Sequence, residues 1–198
     1  MRTVDPAKYE EKRQEILLAA GRCFGRSGFQ GATISAICAE AKISPGHLYH
    51  YFASKEAIIS AMAEGSVANA ELRFQEMARA SDALTALIGS LKRVKGHGAR
   101  AGRAIMLDLL VEAGRNPAIA VILRDHSRAL RDQLAAFLRQ GQERGQVDPD
   151  LDADVAAAVL LSVMDGAMTL RLRDPDQDTD QSIQLLQTMI VRFLTPRA

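Results

Sequence analysis

The sequence predicts an all-α fold, and three observations support that prediction. Apolar residues recur at helical spacing in nearly every segment of the 198-residue chain. Ala, Leu, Arg and Gln are abundant, Trp is absent and Pro occurs six times, a composition that favours helix over sheet. Hydrophobic residues make up 47% and charged residues 25% of the chain, which excludes disorder and predicts a packed core.

The first two helices are bounded by clear sequence signals. The first is predicted from about Pro6 to Ser27, with Gly28 as its stop. Its apolar face carries Ile16, Leu17, Ala20, Cys23 and Phe24. Thr33 then caps a second helix, predicted over 34–41, whose inward residues are Ile37 and Cys38.

Two further helix starts follow within fifteen residues. A tight break at 41–43 leads to Ser44 as the capping residue, with Pro45 at the first position of a short helix that ends near Tyr51. Ser54 caps a longer fourth helix that begins at Lys55. From Lys55 onward, helical segments are predicted at 55–79, 82–94, 99–115, 117–144, 152–173 and 179–194, with Gly145 ending the fourth of these and an acidic loop at 174–180.

Charge and hydropathy predict where the protein is located but do not identify its partners. The formal net charge of +1 is too small to indicate nucleic-acid binding by itself. Residues 1–15 are charged throughout, unlike a signal peptide, and no apolar run approaches the roughly 20 residues of a membrane span. We therefore expect a cytoplasmic protein with no membrane partner, in which Cys23 and Cys38 are reduced, buried hydrophobes.

The stretch from Thr33 to Lys55 carries the functional signal. It describes two short helices joined by a tight turn, and the second is too small to build a core of its own. Leu48 and Phe52 lie four positions apart and are predicted to face inward. The outward positions are Pro45, Gly46, His47, Tyr49, His50 and Tyr51. A short exposed helix of this composition is typical of the recognition helix of a helix-turn-helix, which lies in the major groove.

This run resembles the signature of the TetR family over roughly residues 10–60. The shared features are a Thr-opened helix, an Ala-x-hydrophobic turn, Ser-x-Gly, Leu-Tyr-x-x-Phe and a Lys a few residues later. Two positions depart from the family pattern: Lys42 stands where Gly is usual, and His47 where a small residue is common. The resemblance implies a DNA-binding domain over 1–54 and a helical effector-binding and dimerisation domain over 55–198.

The resemblance also implies which residues touch DNA. Pro45, Gly46 and His47 occupy positions that reach base edges, and His50 is suited to either base or phosphate. The candidates for contact with the DNA backbone are Thr33, Ser35, Tyr49, Tyr51 and Lys55, and Ser44 is a further candidate for contact with DNA. Tyr51 has a second interpretation as core, as does Phe52. The i, i+3 spacing of His47 and His50 gives no metal site, because no Cys, Asp or Glu stands at ligand spacing in this helix.

The run from Arg103 to about Thr169, with Leu-Asp-Leu at 107–109 and Met-Asp-Gly at 164–166, is similar to the C-terminal domain of choline-responsive regulators. The resemblance to the TetR family implies homodimerisation through the last two helices. The apolar residues of those helices are Val155, Val159, Leu160, Val163, Ala167, Leu170, Ile183, Leu186, Met189, Ile190 and Phe193. The expected lining of an effector pocket is Asn69, Met106, His126, Phe137, Met164, Asp165 and Met168.

Other motifs are excluded by spacing. The alternating Asp148, Asp150, Asp152 and Asp154 lack the Gly and Glu of a calcium loop, and helix capping accounts for them better. The glycines at 96–102 match no phosphate-binding fingerprint, and no catalytic constellation can be assembled. We therefore expect no enzyme, cofactor or metal.

The predicted function is a repressor that a small apolar or amphipathic ligand releases from a palindromic double-stranded operator. The alternatives are a ligand-responsive activator and a helical binding protein that has lost DNA binding.

Overall fold

The computed structural model describes residues 5–92, 97–169 and 179–196, and all regular structure within them is α-helical. In chain order the helices are α1 (Pro6–Gly31), α2 (Ile34–Ala41), α3 (Pro45–Tyr51), α4 (Lys55–Ala78), α5 (Ala83–Lys92), α6 (His97–Ala113), α7 (Pro117–Glu143), α8 (Ala153–Met168) and α9 (Thr179–Leu194). The all-α prediction is confirmed. Most of the predicted 174–180 loop and the predicted helix beyond residue 169 lie outside the described residues.

The predicted capping residues hold the helix starts. Thr33 Oγ1 accepts a hydrogen bond from the backbone N–H of Ala36 at 3.1 Å, and Ser44 Oγ accepts one from His47 at 3.2 Å. Asp152 Oδ1 accepts from the two N–H groups that open α8. Each cap satisfies donors that the first helical turn leaves unpaired, so these starts are fixed locally.

Gly28 marks a kink in α1. The helix was predicted to stop there, yet it continues to Gly31 across a Gly28 backbone at φ 68°, ψ 175°. This left-handed φ suits glycine, and a Cβ at this position would lie 3.1 Å from a carboxylate oxygen of Asp108. The kink turns residues 29–31 into a short connector between the long part of α1 and α2.

Two compact units make up the described chain. The first comprises residues 5–66 and 97–126, and the second 67–92, 127–169 and 179–196. The first core includes Ile16, Leu17, Cys23, Phe24, Ile37, Cys38, Leu48, Phe52 and Ile58. The second core includes Leu134, Phe137, Leu138, Val147, Leu160, Ile190 and Leu194. The helical domain predicted from residue 55 therefore contributes the start of α4, the whole of α6 and the start of α7 to the unit that contains α1–α3.

Both cysteines are buried in the first core. Cys23 is 2% and Cys38 is 3% exposed, and neither forms a disulfide. Burial raises the pKa of the Cys38 thiol, because an apolar surrounding disfavours the thiolate. The prediction that both cysteines are buried is confirmed.

Lys42 ends α2 in the left-handed conformation. Its backbone has φ 55° and ψ 46°, and it is the one non-glycine residue with positive φ in the described chain. Its N–H and that of Ile43 return to the carbonyls of Ala39 and Cys38 at 3.3 and 3.0 Å. A lysine has therefore adopted a left-handed turn at the position where the sequence resemblance leads us to expect Gly, at the cost of a strained Cβ.

Replacing Lys42 by Gly is expected to raise the free energy of unfolding by about 1 kcal/mol, because the strained Cβ is removed while the turn is kept. Denaturant unfolding of the full chain measures the change. Lys42→Ala is the matched control, since it removes the charge and the side-chain stem but retains the Cβ. A gain in the alanine variant equal to that in the glycine variant would locate the strain elsewhere.

Candidate nucleic-acid interface

The turn between α2 and α3 presents one side of α3 to solvent. Leu48 is fully buried and Phe52, just after the helix, is 4% exposed, as the sequence predicted. Along the opposite side Pro45, Gly46, His47, Tyr49 and His50 are exposed. Because α3 has only seven residues, two apolar anchors are enough to hold it while the rest of its surface stays available to a partner.

Hydroxyl groups border this exposed surface at the starts of α2 and α3. Thr33, Ser35 and Ser44 are all exposed. The caps of Thr33 and Ser44 use the hydroxyl oxygen as acceptor, so the O–H of each remains free to donate to a phosphate oxygen. Tyr49 is 53% exposed and also directs a phenol into solvent.

Lys55 holds the connector within the first unit. Its Nζ donates to the carbonyl of Phe29 at 2.7 Å and lies 4.4 Å from the centre of the Phe29 ring. The side chain is half-buried, and an ammonium group has three donors, so further donors remain. The residue predicted to contact phosphate thus also ties the start of α4 to the end of α1.

Tyr51 lies at the centre of an aromatic cluster, which we define as Tyr9, His47, His50 and Tyr51. The ring of Tyr9, from α1, stacks on Tyr51 with a centroid distance of 4.7 Å. The rings of His47 and His50 lie 5.4 and 5.3 Å from Tyr51. Tyr51 is half-buried, so both interpretations of this residue, DNA contact and packing, are compatible with its position.

Glu40 clamps α2 onto α1. Its two carboxylate oxygens accept hydrogen bonds from Arg26 Nη2 at 2.6 Å and Arg22 Nε at 2.7 Å. Those two guanidinium groups, Arg26 foremost, lower the pKa of the Glu40 carboxyl because they stabilise its charged form. The clamp fixes the helix that precedes the turn.

The Glu40 clamp is expected to weaken in acid. A carboxylate whose pKa is lower in the folded than in the unfolded state stabilises the fold above its ordinary pKa of 4.5 and loses that contribution as the pH falls through the folded value. The difference in unfolding free energy between the wild type and Glu40→Gln should therefore be constant above about pH 5.5 and shrink below pH 4.5. Denaturant titrations at pH 7 and pH 4, with the exposed Glu11→Gln as control, measure it. A pH-independent difference would contradict the assignment.

Two acidic residues of α6 accept hydrogen bonds from the connector at residues 29–31. Asp108 Oδ2 accepts a hydrogen bond from the backbone N–H of Phe29 at 2.5 Å. Glu112 Oε1 accepts from Gln30 Nε2 at 2.6 Å. Arg115, one turn further along the chain, donates to the other Glu112 oxygen at 2.7 Å and lowers the pKa of that carboxyl. The connector is thereby hydrogen-bonded to α6, and a displacement of α6 would act directly on the junction of α1 and α2.

Sequence reasoning assigned no role to the residues that make these contacts. Asp108 lies in the Leu-Asp-Leu pattern noted above, and an acid at this point of an otherwise apolar stretch was the available signal. The sequence carries no signal for the contacts of Tyr9, Glu40 and Glu112 with the DNA-binding helices. Their partners there lie between 14 and 82 positions away along the chain.

The expected effector-pocket residues are distributed over both units. In the first, Met106 packs on the core and the Nε2 of buried His126 lies 3.2 Å from Ser66 Oγ. In the second, Met164 packs on the core while Asn69 and Asp165 are exposed. The side chain of Met168 lies outside the described part of the chain.

A groove of about 390 Å³ lies in the second unit, between α4 and α7. Its lining residues are Glu71, Phe74, Gln75, Ala78, Arg79, Gln133, Ala136, Phe137 and Gln140. Gln133 Nε2 donates to the carbonyl of Val67, whereas the buried Gln133 Oε1 has no hydrogen-bond partner among the described residues. Phe137 is the expected pocket residue that lines this groove.

None of the described helices combines the length and apolar character that crossing a bilayer requires. Within the same residues, His, Cys, Asp and Glu form no group of three or more that could hold a metal ion.

Comparison with known proteins identifies the family to which this architecture belongs. A family model for "Bacterial regulatory proteins, tetR family" matches residues 16–62, which contain α2, the turn and α3. A model for "BetI-type transcriptional repressor, C-terminal" matches residues 82–195, more than half of the chain. The chain belongs to the TetR family of transcriptional regulators. Both resemblances expected from the sequence are confirmed.

Curated members of the TetR family are similar over most of their length. The transcriptional regulator UidR of Escherichia coli K12 is 32% identical over 156 residues, 79% of each chain. The transcriptional repressor AcnR of Corynebacterium diphtheriae is 26% identical over 196 residues, 99% of this chain and 100% of the relative. These proteins are regulators, which confirms the prediction that the chain is a regulator and not an enzyme.

Solved TetR-family structures share the whole fold. Salmonella enterica GusR superposes with a TM-score of 0.79 at 27% identity, over 98% of this chain and 99% of its own. A regulator from Saccharomonospora viridis, solved in complex with choline, gives a TM-score of 0.76 at 26% identity over 95% of this chain and 100% of its own.

Proposed function

We propose that the protein binds a palindromic operator as a homodimer, represses transcription in the cytoplasm, and is released by a small-molecule effector. One observation carries the DNA-binding part of this proposal. Helix α3 is anchored by two buried apolar residues and leaves a continuous exposed side of base-reading and phosphate-reading groups. We assign base contacts to Pro45, Gly46 and His47, either contact to His50, and phosphate contacts to Thr33, Ser35, Ser44, Tyr49, Tyr51 and Lys55.

The dimer is proposed from the exposed apolar residues of the last two helices. Three valines of α8 and three residues of α9 follow i, i+4, i+8 spacing and are between 37% and 62% exposed. We define this apolar stripe as Val155, Val159, Val163, Leu185, Met189 and Phe193. An exposed apolar stripe of this kind can form a self-complementary interface, and a second copy of the chain would cover it. The dimer would place two copies of α3 about 34 Å apart, the spacing of successive major grooves.

The effector is proposed to bind in the second unit. The groove between α4 and α7 offers the Phe74 and Phe137 rings, a rim of amide and charged groups, and the unpartnered acceptor Gln133 Oε1. Its volume falls in the range of small-molecule sites. Because a relative binds choline, choline is the first compound to test.

Fluorescence anisotropy tests the proposal. The purified protein is titrated into DNA from upstream of its own gene and into scrambled DNA, each at two salt concentrations, with and without choline. Selective, salt-dependent binding supports the operator assignment, because phosphate contacts release counterions. Equal binding to both DNAs, repeated with sequences selected from a random pool, would reject it.

Two substitutions separate base reading from phosphate contact. His47→Ala should weaken operator binding about 10-fold and relax the preference at specific base pairs, because a direct base contact is lost. Tyr49→Phe removes only the exposed hydroxyl and should weaken binding about 5-fold on every sequence, without changing the salt slope. Competition titrations against single-base operator variants measure both effects. Uniform weakening by His47→Ala would contradict the base contact. Lys55→Ala is less informative, because it also breaks the bond to Phe29.

A further inference from the structure

Tyr9 is the one ring of the aromatic cluster that α3 and its helix-turn-helix do not supply. It lies near the start of α1, where Asp5 caps the helix by accepting from the N–H of Ala7 at 3.1 Å. Its ring stacks on Tyr51 at 4.7 Å with an interplanar angle of 29°. The same ring meets His50 edge-on at 5.9 Å and 80°.

Tyr51 also packs against the two exposed histidines of α3. The His50 ring lies 5.3 Å from it at 86°, and the His47 ring 5.4 Å away at 50°. Edge-on and offset aromatic pairs at these distances are attractive beyond the surface that they bury. The two imidazoles that face solvent on α3 are therefore packed against a tyrosine that is itself held from α1.

This packing matters because α3 is short. Leu48 and Phe52 hold its inner side, and Arg13 of α1 lies 5.4 Å from the centre of the Phe52 ring. Nothing in those contacts restrains the rotamers of His47 and His50. An exposed side chain that binds DNA loses conformational freedom on binding, and a side chain already held in place loses less. Tyr9 restrains His50 directly and His47 through Tyr51.

We propose that Tyr9 is a positioning residue for sequence recognition: by stacking on Tyr51 it holds His47 and His50 in the orientation that reads the operator. Tyr9 acts through its ring, not through its hydroxyl and not by touching the bases. The inference rests on the proposed function, because it concerns how α3 discriminates between DNA sequences.

The test compares Tyr9→Ala, Tyr9→Phe and the wild type, with Leu18→Ala as a control that truncates a 64% exposed residue of the same helix. Thermal unfolding first establishes that each variant is folded. Proton NMR of the free proteins then follows the imidazole resonances, which are shifted by neighbouring rings. Finally, each variant is titrated against the operator and its single-base variants.

Tyr9→Ala is expected to move the imidazole resonances, to weaken operator binding about 10-fold and to reduce discrimination at the base pairs where His47→Ala does so. Tyr9→Phe should retain the wild-type imidazole resonances, operator affinity and base-pair discrimination, and Leu18→Ala should change none of them. Uniform weakening on every DNA, failure of phenylalanine to restore selectivity, or unchanged imidazole resonances would each overturn the proposal. If the wild type itself lacks selectivity, the proposed function fails, while the resonances still test whether Tyr9 holds the histidines.

Discussion

Replacing Met189 by Asp is expected to convert the proposed dimer to a monomer and to weaken operator binding by at least about 100-fold. Met189 is 56% exposed at the middle of the apolar stripe on α9. In a two-fold interface one substitution enters twice, so two like charges would be buried in an apolar contact. The monomer also loses the increase in affinity that comes from binding two linked half-sites, an increase on the order of 10²–10⁴-fold. Light scattering after size exclusion measures the mass, and anisotropy the affinity.

Leu18→Asp provides the matched control, because it places the same charge on an exposed leucine of α1 outside the apolar stripe. It should leave the mass of the assembly unchanged. A Met189→Asp variant that remains dimeric would place the interface away from α8 and α9. A wild type that is monomeric at micromolar concentration would reject the proposed dimer.

Replacing Asp108 by Ala is expected to lower the free energy of unfolding of the first unit by about 1.5–3 kcal/mol. The carboxylate accepts the backbone N–H of Phe29, a residue that is 2% exposed, so truncation leaves a buried donor without a partner. The same variant should bind the operator more weakly, since the connector no longer fixes α2 relative to the long part of α1. Denaturant unfolding and anisotropy measure the two effects.

Asp108→Asn separates the hydrogen bond from packing. Its amide oxygen can still accept from Phe29, so it should retain most of the stability that the alanine variant loses. Equal losses in the two variants would show that the negative charge, rather than an acceptor, is required. No loss in either would mean that the contact contributes nothing in solution.

The parts of the fold that were predicted from sequence are those with local causes. Thr33, Ser44 and Asp152 cap helices through bonds to residues two or three positions away, so the sequence contains both partners within one turn. The inward positions Leu48 and Phe52 follow from helical spacing alone. For the same reason the exposed side of α3 could be assigned residue by residue.

The contacts that were not predicted join distant positions. Asp108 meets Phe29 across 79 positions, and only the folded chain shows that α6 packs on α1. Lys55 was predicted to contact phosphate, and no sequence signal indicated that its ammonium group would also bind the Phe29 carbonyl. The apolar pattern of α8 was wider than one face requires. The structure divides it into buried Leu160 and the exposed valines, a division that depends on where α9 lies.

The burial of both cysteines provides a reporter that requires no label. They are the chain's only two thiols, both belong to the first unit, and a reagent such as an aromatic disulfide can reach them only when α1 and α2 separate from their core. The rate of thiol modification in the native protein therefore counts the opening events of the DNA-reading half alone, and the second unit contributes no signal. Operator DNA should slow this reaction and an effector should restore its rate, so the response of the regulator can be followed with a spectrophotometer.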